Sequence, residues 1–143
     1  MNKLIILLVS FISVMPLAAQ NAKNNRPKIV FESETCNLGT IAADTALVEC
    51  KFKFTNTGKS DLYIHQVIPT CNCTTASAET GPIKPGESSY ITITYDGRHA
   101  KPGHIRKRVT VHCNAVNELV KLFITGKLLP HSEKDVQRID IEE

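Results

Sequence analysis

The chain has 143 residues, of which 42% are hydrophobic, and a formal net charge of +3 at pH 7. This length fits one domain with a substantial hydrophobic core. So small a charge is too mild to imply a nucleic-acid partner, and we expect none. Outside the first residues, no apolar run approaches the roughly 20 residues that a membrane helix needs.

The first residues have the pattern of a secretory signal peptide. Lys3 gives a positive start, residues 4–14 form an apolar run, and small residues at Ala18-Ala19 suit cleavage before Gln20. The run is too short to span a bilayer. We therefore expect residues 1–19 to be removed on export to the periplasm or beyond, and residues 20–27 to form a flexible lead.

In the first half of the remaining chain, polar and apolar residues alternate, which predicts strands. Short strands are expected at residues 28–32 and 36–41, the second with a bulge at Gly39. A long strand is expected at residues 46–55. Its alternation predicts one core-facing set of side chains, namely Val48, Cys50, Phe52 and Phe54.

The segment Asn56-Thr57-Gly58-Lys59 predicts a hairpin turn, because Asn and Gly tolerate the positive φ that such turns require. The returning strand is expected at residues 61–68, with a bulge near Gln66 where strict alternation is lost. Pro69 ends this strand, so the following cysteines are expected to lie in a loop.

The second half of the chain continues the same pattern. Residues 74–79 are small and polar and fit either a strand or an irregular segment, and Pro85-Gly86 predicts a type II turn. Alternating strands are expected at residues 88–95, 105–113 and 118–128. About seven short strands without a helical period predict an all-β, immunoglobulin-like sandwich over residues 28–129. Residues 130–143 are expected to form a polar tail.

Several motifs occur in the order and at the spacing of a known family. They are Leu38-Gly39-Thr40-Ile41, Phe54-Thr55-Asn56-Thr57-Gly58, Leu62 with Ile64, Cys71-Asn72-Cys73-Thr74, Pro82-Ile83-Lys84-Pro85-Gly86-Glu87, Tyr95-Asp96, Val111 with Asn114, and Leu122-Phe123-Ile124-Thr125-Gly126. From about Ile29 to Leu128 the chain resembles an uncharacterised family of exported bacterial proteins with a Hydin-type immunoglobulin-like domain. The resemblance implies a β-sandwich outside the cytoplasm and no established activity.

The chain departs from this family pattern at its cysteines. Asn72 stands where the family usually has Gly, and the pattern does not call for Cys36, Cys50 or Cys113. Five cysteines in an exported chain can form disulfides, but an odd number leaves at least one without a partner in the chain. Cys50 and Cys113 both point inward from long strands, which permits an inter-sheet disulfide between them.

Cys71 and Cys73 have two further interpretations. The simpler one is that the loop is cross-linked to itself, or to Cys36, and is thereby held in place. A bond between the two would close a small ring and be easily reduced. Alternatively, both thiolates and His65 bind Cu(I) or zinc, which prefer such ligands.

The remaining polar residues give little sign of catalysis. Residues 98–108 are rich in Arg, Lys and His, but the simplest interpretation is a solvated loop entering a strand, with an anionic ligand as the alternative. No Ser, His and Asp arrangement and no carboxylate pair stands out, so we expect neither an enzyme nor a cofactor.

The sequence thus favours an exported immunoglobulin-like module of the bacterial cell envelope that binds or scaffolds a partner, either a protein or an envelope component. The alternative is a small metal-binding or thiol-redox protein that uses Cys71 and Cys73.

Overall fold

The computed structural model describes residues 25–131. The predicted signal segment, most of the lead and nearly all of the tail lie outside these residues. The described part forms eight strands: β1 Ile29–Phe31, β2 Thr35–Ala42, β3 Leu47–Asn56, β4 Ile64–Pro69, β5 Thr74–Ala78, β6 Ser88–Asp96, β7 Gly103–Cys113 and β8 Leu119–Leu129. One turn of 3-10 helix, Ala43–Thr45, separates β2 from β3. Between residues 25 and 131, no helix has the length and apolar character to cross a membrane.

The eight strands form two four-stranded sheets. The first sheet has the order β1-β3-β6-β5, and the second has the order β2-β8-β7-β4. Neighbouring strands are antiparallel, except that β2 runs parallel to β8. The predicted all-β sandwich is therefore confirmed, with eight strands rather than about seven.

The alternation along β3 and β6 fills the first sheet's side of the core. Phe52 lies opposite Ile91 in the ladder, and Cys50 lies opposite Ile93. All four of these side chains are at most 3% exposed, whereas Lys51 on the other face is exposed. Each large apolar side chain buried in this way contributes about 1.5–3 kcal/mol. The predicted inward face of β3 is confirmed.

The predicted hairpin at Asn56-Thr57-Gly58-Lys59 is wrong. β4 pairs with β7 in the second sheet, not with β3, so the chain crosses from one sheet to the other after Asn56. Neither Asn56 nor Gly58 has a positive φ. Gly58 is needed for a different reason, because a Cβ there would lie 2.4 Å from the backbone nitrogen of Lys28.

The side chain of Asn56 holds this crossing together. It is completely buried, and its Nδ2 donates to the carbonyl oxygens of Ser60 and Ile83 at 2.8 and 2.9 Å. Its Oδ1 accepts from the backbone N–H groups of Gly58 and Lys28 at 3.0 and 3.3 Å. Buried polar groups are tolerated when they are paired in this way. The side chain of Asn56 thus provides hydrogen-bond partners for backbone groups that are not paired with a neighbouring strand.

Other local predictions are confirmed. The ladder shifts register around Gly39 and again before Gln66, as expected for bulges, and Gly86 has the positive φ of a type II turn. The segment 74–78 forms a strand.

The end of the lead differs from the prediction. Arg26 and Pro27 were expected to be flexible, but their carbonyl oxygens accept hydrogen bonds from the N–H groups of Lys59 and Val116. The end of the lead is therefore held against the domain.

We expect Asn56→Ala to lower the free energy of unfolding by at least about 3 kcal/mol, because it leaves several buried backbone groups unpaired at about 1–3 kcal/mol each. The measurement is urea unfolding. The matched control is Asn72→Ala, an exposed asparagine, which should stay within about 0.5 kcal/mol of the wild type. Similar losses in the two variants would contradict the role assigned to Asn56.

Candidate functional site

The loop between β4 and β5 contains Cys71 and Cys73 and joins the two sheets. On the second sheet, the backbone N–H and Oγ1 of Thr70 donate to the carbonyl oxygen of Arg108 at 3.1 and 2.9 Å. On the first sheet, the N–H of Asp96 donates to the carbonyl oxygen of Cys73 at 2.8 Å. The loop is therefore fixed at both ends, to β7 and to the end of β6.

Cys71 and Cys73 are joined in a disulfide, which confirms the interpretation that the loop is cross-linked to itself. Both residues are half-buried. The hydroxyl of the next residue, Thr74, lies 3.3 Å from the Sγ of Cys71 and 3.8 Å from the Sγ of Cys73. Disulfide sulfurs carry no hydrogen, so the hydroxyl is the donor.

A tight ion pair stands beside this loop. Arg98 donates from Nε and Nη2 to the two carboxylate oxygens of Asp96 at 3.0 and 2.7 Å, and its backbone N–H donates to Oδ1 at 3.1 Å. The side-chain hydrogen bonds from Arg98, followed by the backbone one, lower the pKa of Asp96 to about 2. The charge of Arg98 is therefore balanced locally.

The second disulfide joins the two sheets, from Cys36 in β2 to Cys50 in β3. The predicted Cys50–Cys113 bond is wrong. The Sγ of Cys113 donates to the carbonyl oxygen of Asn117, whose side chain in turn hydrogen-bonds to Ile29. Ile29 pairs with Asn56, the last residue of β3, so Cys113 lies at that end of the strand. Asn56 is six residues from Cys50, which is roughly 20 Å at the usual rise per residue. Alternation identified the face correctly but not the position along the strand.

Cys113 is a free thiol, 2% exposed at the end of β7. Burial raises the pKa of this thiol, with a smaller opposing effect from a backbone hydrogen bond with Ala115. A buried thiol with a raised pKa is a poor nucleophile and a poor metal ligand.

The predicted Cu(I) or zinc site of His65, Cys71 and Cys73 is not assembled. The two sulfurs are bonded to each other, and the ring of His65 lies 5.7 Å from the ring of His112. Across residues 25–131, no group of three or more His, Cys, Asp or Glu side chains has the arrangement of a metal site.

The second sheet has an unusual charge distribution. Its four strands contain no Asp or Glu and five basic residues, namely Arg106, Lys107, Arg108, Lys121 and Lys127. The first sheet has no such excess, since its two acidic residues, Glu49 and Asp96, are matched by Lys51 and Lys53.

Most of these charges lie on the outer side of β7 and β8. We call this surface the cationic face and define it by His104, Arg106, Arg108, Lys121, Phe123 and Lys127. His104 lies opposite Lys127 in the ladder, and Arg108 lies opposite Phe123. The guanidinium carbon of Arg106 lies 5.6 Å from the centre of the Phe123 ring, within the range of a cation–π contact.

The ion pairs among residues 25–131 have Arg26, Lys51, Lys53, Arg98 and His131 as their basic partners. None of these pairs includes a member of the cationic face. The sequence had suggested one basic segment at residues 98–108, but the structure divides it. Arg98 is paired with Asp96, and Lys107 points to the opposite side of β7 by alternation. The pairing of β7 with β8 adds Lys121 and Lys127, which lie far away in the sequence.

Residues 29–128 match the model of a family described as "Protein of unknown function (DUF1573)". The chain belongs to this family. The predicted membership of an uncharacterised family is confirmed over the expected residues, while its Hydin-type character stays a prediction. Comparison of the DUF1573 chain with curated protein sequences gives no match.

The solved structures that are similar to the DUF1573 chain include the two that follow. A protein of unknown function from Porphyromonas gingivalis W83 has 21% sequence identity and a TM-score of 0.65, covering 74% of this chain and 49% of its own. The ASH / PapD-like domain 7 of human CEP192 has 16% identity and a TM-score of 0.59, covering 87% of this chain and 97% of its own. The DUF1573 chain thus spans about half the length of the Porphyromonas protein. These likenesses show the fold, a PapD-like β-sandwich.

We expect the two disulfides to contribute unequally to stability. Cys36→Ala/Cys50→Ala opens a loop with a sequence separation of 14 and should lower the free energy of unfolding by about 3 kcal/mol. Cys71→Ser/Cys73→Ser opens a much shorter loop and should lower it by about half as much. Denaturant unfolding of both double variants tests this. A larger loss on removing Cys71 and Cys73 would contradict the assignment of Cys36–Cys50 as the main structural cross-link.

Proposed function

We propose that this protein is an exported immunoglobulin-like module that binds an anionic, phosphate-bearing surface of the bacterial cell envelope through the cationic face. The observation that carries the proposal is the second sheet, which has five basic residues and no acidic one in its strands. Two disulfides within residues 25–131 support an oxidising compartment outside the cytoplasm.

The arrangement of the cationic face favours a bound anion. Arg106 is a diagonal neighbour of Lys127 across the ladder, and Arg108 is a diagonal neighbour of Lys121. Diagonal neighbours are about 7–8 Å apart, within reach of long side chains, so these like charges repel one another until an anion lies between them. The guanidinium groups of Arg106 and Arg108 can each donate two parallel hydrogen bonds to a phosphate. Lys121 and Lys127 add point charges on the adjacent strand. Each Lys or Arg near an anionic lipid surface strengthens binding by roughly fivefold.

Phosphatidylglycerol vesicles provide the direct test of this surface. We expect the wild type to sediment with vesicles that contain phosphatidylglycerol but not with pure phosphatidylcholine, and to dissociate as salt shortens the Debye length. Arg106→Gln/Arg108→Gln removes two charges from the cationic face and should weaken binding by about 25-fold, at roughly fivefold for each charge.

The matched control is Lys51→Gln/Lys53→Gln, which removes the same charge from the outer side of β3. It should change vesicle binding by less than about twofold, because these lysines are paired with Glu49 and Glu32. Equal losses in the two double variants would show that only net charge matters. That result, or no binding by the wild type at low salt, would overturn the proposed surface.

Export is tested separately by intact mass. We expect protein recovered from the envelope fraction of a bacterial producer to begin at Gln20 and to carry one free thiol after denaturation, since four of the five cysteines are paired. A cytoplasmic protein that retains Met1 and has five free thiols would contradict both the compartment and the disulfides.

A further inference from the structure

The two disulfides of the described chain differ in what their sulfurs become on reduction. Cys50 is 2% exposed and belongs to the core between the sheets. Breaking Cys36–Cys50 by attack on Cys36 would leave a thiolate in this apolar interior, where burial disfavours the charged form. Cys71 and Cys73 are both half-buried at the edge of the sandwich, so neither would leave its thiolate in the core.

Thr74 distinguishes the Cys71–Cys73 pair further. Thr74 is a buried polar residue, 3% exposed. Among the described residues, the only hydrogen-bond partners of its hydroxyl are the sulfurs of Cys71 and Cys73. The hydroxyl is held there by the backbone, because the N–H of Thr74 donates to the carbonyl oxygen of Cys71 at 3.2 Å and Thr74 pairs with Tyr95 in β6. A hydroxyl that donates to a thiolate stabilises the charged form.

The loop also keeps its shape independently of the sulfur–sulfur bond. Thr70 is hydrogen-bonded to the carbonyl oxygen of Arg108 at one end of the loop. At the other end, the carbonyl oxygen of Cys73 accepts a hydrogen bond from the N–H of Asp96. After reduction the two thiols would therefore remain neighbours, so the bond could form again without a search through open conformations.

We propose that Cys71–Cys73 is a redox-active disulfide that accepts two electrons from a dithiol of a partner protein, with Thr74 as the positioning residue that stabilises the departing thiolate. This inference does not depend on the cationic face. It assigns the buried Thr74 hydroxyl a chemical role.

The exchange has two steps. A partner thiolate attacks one sulfur of the pair, a mixed disulfide forms, and the Cys71–Cys73 bond breaks with its electron pair leaving on the other cysteine. The partner's second thiolate then attacks its own sulfur in the mixed disulfide and releases the remaining cysteine. The partner dithiol is oxidised to a disulfide, and Cys71 and Cys73 are reduced to thiols that take up the two protons the partner gives up.

The test follows both disulfides in the same molecule. Native protein is treated with dithiothreitol as a small dithiol, quenched with acid and alkylated, and each cysteine is measured by peptide mass. We expect Cys71–Cys73 to be reduced at least about tenfold faster than Cys36–Cys50. Equal rates, or faster reduction of Cys36–Cys50, would overturn the proposal.

Variants at Thr74 separate a redox role from a structural one. Thr74→Val keeps the shape but removes the hydroxyl, and it should slow reduction of Cys71–Cys73 and shift its equilibrium with glutathione toward the disulfide by about tenfold. Thr74→Ser should restore both. The control is Thr75→Val, which changes an exposed neighbour on β5 and should leave both unchanged.

Unfolding midpoints, measured in parallel, establish that each variant is folded. Equal effects of Thr74→Val and Thr75→Val would overturn the role of the hydroxyl. Zinc added alone to the reduced protein gives the remaining outcome: one equivalent bound tightly enough to prevent reoxidation would overturn the redox proposal in favour of a metal site.

Discussion

The structure depends on the buried amide of Asn56. Where a chain leaves one sheet for another, its backbone groups lose their ladder partners while still enclosed by protein, and unpaired buried groups are costly. Asn56 supplies two donors and an acceptor at this point. Two other asparagines do the same at the same end of the sandwich: Asn114 bonds to the backbone of Tyr63 and Asp61, and Asn117 bonds to that of Ile29.

This crossing places β4 beside β7 and so completes the second sheet. The loop that follows must then return to β5 in the first sheet, which brings Cys71 and Cys73 to the junction between the sheets. Arg108 is shared by the two candidate sites. Its side chain belongs to the cationic face, and its carbonyl oxygen holds Thr70 at the start of the disulfide loop. A partner held by the cationic face would therefore lie near the disulfide.

The sequence correctly predicted those features of the fold that depend on residues close together in the chain. Alternation predicted the buried face of β3, and its loss at Gln66 predicted the bulge there, whereas the bulge near Gly39 was marked by the glycine itself. The hairpin prediction failed because Asn56 and Gly58 have the composition of a turn, whereas long-range pairing decides which strand follows. The predicted Cys50–Cys113 disulfide is wrong because alternation indicates which face of a strand a side chain lies on but not which residues of two strands lie at the same level. The cationic face could not be found without the register of β7 against β8.

The two disulfides differ in how much they restrict the unfolded chain and in where their sulfurs lie. Cys36–Cys50 joins the sheets and closes a loop with a separation of 14, so it restricts the unfolded chain substantially and has one sulfur in the core. Cys71–Cys73 closes a separation of only 2 in a loop that backbone hydrogen bonds already hold. Its expected contribution to the free energy of unfolding is therefore about half that of Cys36–Cys50. The lesser stabilising bond is thus the one beside a buried hydroxyl whose partners within residues 25–131 are its two sulfurs, and the redox role proposed for Cys71–Cys73 draws on this combination.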